Sequence, residues 1–283
     1  MADYTEPCCC FDASQYTGTP DTSPVEHPMD VPAIIKGLDE LNNSGREAEA
    51  EAYLDQWLEK ARTRKDWRAE LTILSELLGQ VRRSLKEEKG IRTVNEVLTL
   101  LHTHTLGSTV SGATILLNAA TTLKCFGRAG QSIPIFRHVA RVYAEHLDPG
   151  DYRFAGLYNN MALSFSDVRD FPSAEKYFQL AYAVLEKCPD TENDRAVTLC
   201  NLAECYDAQD PEDPRIENSV EKAWSCLNET GIRQDGYHAF TISKCAPSFD
   251  RLGYFLYASE LRKRADAIYA SSRQKQNAQE DRC

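Results

Sequence analysis

A slide of the chain against itself gives a period of about 42 residues, and that repeat limits the possible folds more than any other feature. The clearest copies are LYNNMALSFSDVRDFPSAEKYFQLAYAVLEK, beginning at Leu157, and LCNLAECYDAQDPEDPRIENSVEKAWSCLNE, beginning at Leu199. Each holds an apolar stripe, a short break with Pro and Asp, and a second stripe. Tyr158, Ala162 and Phe165 are spaced i, i+4, i+7, and Ala174, Phe178 and Ala181 repeat that spacing after the break. One-face spacing of this kind is an amphipathic helix, here twice over. The unit is a helical hairpin. Ala162 and Ala174 let its two helices approach, and Pro172 falls where a helix start tolerates a missing N–H.

The same template places the other units. Leu199, Leu202, Ala203 and Tyr206 lead to Ile216, Val220 and Ala223. Ile242, Cys245, Ala246 and Phe249 lead to Ala258 and Ala265, and upstream Leu116, Ala119, Ala120 and Leu123 lead to Ser132, Phe136 and Val139. Two looser units carry Leu74, Leu77, Leu78, Val81, Val94 and Val97, then Ile34, Leu38 and Leu41 with Ala50, Leu54 and Trp57. Unit starts fall near 31, 71, 113, 155, 196 and 239. The small–aromatic–small pattern resembles the tetratricopeptide repeat (TPR) family over residues 31 to 273. The common repeat there is 34 residues, so the longer period is similar to the branch that includes kinesin light chains. The resemblance implies an all-α, right-handed solenoid of about six hairpins whose first helices line a concave groove. One hairpin cannot bury its apolar faces alone, whereas stacked neighbours share a continuous core.

Residues 1–30 differ in composition. They hold six acids, no Lys or Arg, and four of the 12 prolines. Such a segment is expected to be a flexible tail. It lacks the basic start and apolar core of a secretory signal, which points to the cytoplasm. At the other end, the last helix is expected to fade after Ile268, leaving 274–283 as a polar end. Cys200, Cys205, Cys226 and Cys245 fall on helical stripes and read as core. Cys8, Cys9 and Cys10 lack the spacing of a zinc site.

A net charge of −11 argues against nucleic acid as a general partner, and no apolar run is long enough for a membrane span. Nucleotide, zincin and GxSxG signatures are absent, and His102 and His104 are misplaced for joint ligation. No catalytic residue, metal or cofactor is expected. Within the resembled family, ligand contact falls on first-helix positions outside the hairpin core. Two places beyond the first core residue lies a position about 200° around the helix. It holds Lys36, Glu76, Asn118, Asn160, Asn201 and Lys244 in successive units. An Asn amide both donates and accepts, so Asn118, Asn160 and Asn201 resemble an asparagine ladder gripping a peptide backbone; alternatively they bond to neighbouring hairpins.

Arg82, Arg83 and Lys124 flank one end of this row and Lys244 the other, with Glu204 and Asp207 interrupting the basic line. Leu117, Asn159 and Cys200 stand where a carboxylate clamp would need its leading Lys, so that clamp is not expected. The leading reading is a non-enzymatic protein- or peptide-binding scaffold. A ligand- or peptide-sensing module acting on a separate effector is the alternative, and a homodimer built on apolar patches near Trp57 and Trp67 a third. The acidic tail, with Tyr4, Phe11 and Tyr16, is also a candidate occupant of the chain's own groove.

Overall fold

The computed structural model describes residues 11–280 of the chain, the side chains of Arg273 and of residues 275–280 excepted. Cys8, Cys9, Cys10 and Tyr4 lie outside the described residues. Among the described residues there are twelve α-helices and one 3-10 turn, Ala13–Tyr16, and no strand. First and second helices alternate: α1 Val31–Asn43, α2 Glu47–Thr63, α3 Trp67–Arg83, α4 Glu87–Thr103, α5 Val110–Cys125 and α6 Ala129–His146. They continue with α7 Arg153–Asp167, α8 Phe171–Leu185, α9 Glu192–Asp207, α10 Arg215–Leu227, α11 Gly236–Arg251 and α12 Phe255–Glu280. The helices form two compact units. One runs to Asp39 and resumes over Glu47–Pro149; the other comprises Glu40–Arg46 and Gly150 onward.

The apolar stripes are buried as their spacing requires. In the second unit Ala162, Phe165, Ala174, Phe178 and Ala181 are buried, and so are Leu202, Ala203, Tyr206, Val220 and Ala223. In the first, Leu74, Leu78, Val81, Val94 and Val97 are buried, as are Ala119, Ala120, Phe136 and Val139. Each fully buried large apolar side chain contributes about 1.5–3 kcal/mol relative to exposure. Tyr143 is fully buried, and its hydroxyl is paired with Thr114 Oγ1 at 2.8 Å, so the ring brings no unsatisfied polar group into the core. The four cysteines expected in the core are buried. Burial pushes the Cys205 thiol up to about 11, leaving it a neutral packing group.

Seven turns are closed by one device. At Gly45, Lys65, Leu85, Thr105, Gly127, Arg169 and Gly253 the backbone has φ between 51° and 88°. The next residue donates its N–H to the carbonyl five places back, as from Asp66 to Ala61, Lys86 to Val81 and Asp170 to Phe165. This is the Schellman closure, which satisfies end carbonyls and reverses the chain within a few residues. Asp66 and Asp170 then cap the following helix through Ala69 N and Ser173 N.

Glu51 on α2 ties two hairpins of the first unit. It is 5% exposed and accepts from Lys86 and Lys89 at 2.9 Å each, and from Ser84 at 3.1 Å. Burial alone would push its carboxyl up, but Lys89, Lys86 and Ser84 outweigh that and hold it at about 2.

Two features at the ends of the described chain go beyond the repeat pattern. Residues 11–30 are not detached from the repeats: Tyr16 is buried, Asp21 meets His104 at 2.7 Å, and Met29 N donates to Asp66 at 2.8 Å. Tyr16 supplies apolar surface that composition averaged over the acidic segment conceals. At the C-terminus, α12 runs to Glu280, twelve residues beyond Ile268, the last buried among its described side chains. That stretch contains neither Gly nor Pro, so nothing local breaks the helix. Nor are Trp57 and Trp67 bare. Trp67 is stacked on His104 at 3.9 Å, and Trp57 carries Lys60 over its ring at 4.0 Å.

Leu85 is 73% exposed in the left-handed region, so Leu85→Gly relieves strain and uncovers no core. Urea unfolding should show a gain of about 0.5–1 kcal/mol, the left-handed penalty less the added flexibility of the unfolded chain. The Glu51 pairing has the sign of a depressed carboxyl. Its stabilisation is complete above pH 4.5 and fades as pH falls towards about 2. Glu51→Gln should therefore cost about 3 kcal/mol at pH 7 and flatten the acid limb of the pH–stability profile.

Candidate binding surfaces

In the first unit the structure brings Asn118 and Arg82 together. Asn118, half-buried on α5, donates from Nδ2 to Ser75 Oγ on α3 at 3.0 Å. Arg82, near the end of α3, donates from Nη1 to Asn118 O at 3.2 Å and to Thr122 Oγ1 at 2.9 Å. Burial draws its guanidinium down to about 10, still charged at neutral pH. Glu76 lies nearby; burial and then Asp39 push its carboxyl up, and Arg82 and Arg83 counter them. Lys124 stands half-buried one turn beyond Thr121 and nearly two beyond Asn118 on α5, whereas Lys36 on α1 is exposed. Arg82 is therefore a strut between two first helices whose charge reaches the Asn118 surface.

In the second unit Asn201 on α9 donates from Nδ2 to Asn159 Oδ1 on α7 at 3.1 Å. Asn160 turns back to its own helix and donates to Gly156 O at 2.8 Å. Lys244 on α11 is exposed, with its ammonium 5.4 Å from the Phe240 ring centre. Glu204 is engaged by Arg251 at 3.1 Å. Asn118 and Asn201 thus each spend one N–H on the neighbouring first helix, the alternative that the sequence left open. A primary amide has two N–H donors and a carbonyl that accepts twice, so each retains capacity for a ligand.

A cleft of about 550 Å³ in the second unit was not anticipated. It is bounded by Tyr152, Asn193, Asp194 and Tyr237, at the starts of first helices, and by Arg233 in the loop before α11. The Tyr237 hydroxyl donates to Asp194 Oδ1 at 2.6 Å, and burial followed by the Asp194 charge pushes both tyrosines well above the usual phenol range. The available signal was an aromatic at corresponding starts of two units, Tyr152 and Tyr237, which a search for core stripes passes over. No group of three or more His, Cys, Asp or Glu suited to a metal occurs among the described residues, nor any helix long and apolar enough to cross a membrane.

The basic residues should separate by role. Arg82→Ala removes charged hydrogen bonds worth about 1.5–3 kcal/mol each and should lower the urea midpoint clearly. Lys244→Ala, on an exposed side chain, should change stability by no more than about 0.5 kcal/mol.

No protein-family model matches the chain, and no curated protein matches it. Solved structures do. A variant form of a Podosopora anserina protein described as a kinesin light chain with nearly identical TPR-like repeats aligns at a TM-score of 0.50 and 14% identity. The alignment covers 72% of this chain and 96% of that one. A second structure of that protein gives 0.49 at 14% identity, over 71% and 96% of the two chains. BtubC (BKLC) from P. vanneervenii gives 0.47 at 17% identity, over 86% and 92%. Alternating helices, buried small–aromatic–small stripes and this structural likeness agree: the chain has the fold of TPR-like helical repeat arrays.

Proposed function

We propose that the chain is a non-enzymatic scaffold in which each unit binds extended protein or peptide segments on the exposed faces of its own first helices. Contact in the first unit comes from Asn118, Arg82 and Lys124, and in the second from Asn160, Asn201 and Lys244. One observation carries the reading. In three successive hairpins the residue at the same helical register, away from the hairpin core, is an asparagine held by one of its own donors, to Ser75, Gly156 or Asn159. Holding each amide in place in advance lowers the ordering cost of a ligand hydrogen bond. Its remaining donor and acceptor suit a peptide main chain, which presents both. The flanking Arg and Lys residues favour segments that carry acids, while the chain's overall negative charge opposes anionic polymers bound by charge alone.

Selection from a library of random peptides tests this whatever the natural partner is. Wild type should enrich binders, and Asn118→Ala/Asn160→Ala/Asn201→Ala, checked as folded by circular dichroism, should bind them at least about tenfold more weakly. Equal binding by the triple variant would remove the first-helix faces from the account.

A further inference from the structure

The turn edge of the first unit carries a second recognition surface. Residues 11–30 lie along it in a manner that reads main chain and side chain separately. Several contacts address only the backbone of the segment, Met29 N on Asp66 among them. Thr105 Oγ1 donates to Thr19 O at 2.5 Å, Ser108 Oγ to Tyr16 O at 3.3 Å and Arg68 Nη2 to Ser23 O at 3.0 Å, while His104 O accepts from Asp21 N at 3.0 Å.

Side-chain selection falls at three points spaced five residues apart. Phe11 stacks on Tyr16 at 4.8 Å and leans on His138 at 5.6 Å. Tyr16 is 7% exposed and seats on Gly107 so closely that a Cβ there would come within 2.4 Å of the tyrosine Cβ. Asp21 meets His104, whose ring is itself fixed against Trp67. Backbone contacts for affinity with pockets for alternate anchors is the general logic of peptide recognition. Apart from His138 on α6, the receptor residues belong to turns and helix ends.

We propose that this edge is a docking site for an extended acidic segment with the pattern Phe-x4-Tyr-x4-Asp. Residues 11–30 occupy it in cis, and a partner segment of the same chemistry takes it by displacing them. The site is separate from the first-helix faces, so its test and theirs fail independently. Tethering gives the resident segment an effective concentration of roughly millimolar, so a competing partner must either bind more tightly or meet a chain whose own segment has been drawn away.

The experiment uses full-length chains and a fluorescent peptide of residues 11–30. Wild type should give no anisotropy change at micromolar concentrations, because its own segment holds the site. Two chains with weakened resident anchors, Tyr16→Ala/Asp21→Ala and Phe11→Ala/Tyr16→Ala, should bind the peptide, each with a far-ultraviolet spectrum matching wild type. Adding Gly107→Ala to either should abolish binding, as should Phe11→Ala/Tyr16→Ala within the peptide. Failure of both opened chains to bind would overturn the proposal, as would equal binding of the anchorless peptide. A concentration-dependent wild-type dimer that Tyr16→Ala dissolves would also overturn it, by making a second copy of the chain the occupant.

Discussion

A left-handed residue followed by a hydrogen bond to the carbonyl five places back lets a helix end and its successor begin within about three residues, and the repeat depends on that closure. Where it occurs, as at Leu85 and Arg169, the next helix packs back along the last, and small residues such as Ala162 and Ala174 are buried. Longer turns would cost additional closure entropy and loosen the register in which the stripes face one another. The same turns also hold residues 11–30. Asp66 closes one turn, caps α3 and receives Met29 N; Thr105 is the left-handed residue of another and holds Thr19.

The hairpin stripes were legible because burial repeats with the helical period, and a 3.6-residue pattern printed twice per unit survives drift in residue identity. Phe136, Phe178 and Phe249 stand in the core where the pattern put them. The turns were legible only in part. Gly45, Gly127 and Gly253 announce a left-handed position, but Lys65, Leu85, Thr105 and Arg169 do the same work without glycine, because the hydrogen bonds and core on both sides hold the backbone there. The docking of residues 11–30 was hidden because one well-seated tyrosine and a series of main-chain bonds decide it, whereas average composition reports charge and proline. Register identified Asn118, Asn160 and Asn201 as facing away from the hairpin core, but the partners of Asn118 and Asn201 lie about 42 residues away, on Ser75 and Asn159, whereas Asn160 turns to Gly156 on its own helix.

These placements divide the surface by chemistry. The first-helix faces offer amides and scattered positive charge, suited to a polypeptide read mainly through its backbone. The turn edge of the first unit offers a histidine-lined seat for aromatics and pairs with an acid. The second unit adds a cleft in which Tyr237 and Asp194 are bonded to each other. Solenoids commonly separate functions in this way, because each repeat contributes its helix faces and its turns to different sides of the array.

Site-specific photocross-linking gives the most direct test of the central claim that the first-helix faces receive a polypeptide. A photoreactive amino acid would replace Lys244 on the first helix α11 in one chain and Gln179, exposed on the second helix α8, in another. Both would be irradiated in extract from the source cells. The account predicts a discrete cross-linked polypeptide from position 244 and none from position 179. Cross-linking from 179 with none from 244 would contradict it and move recognition to the second helices.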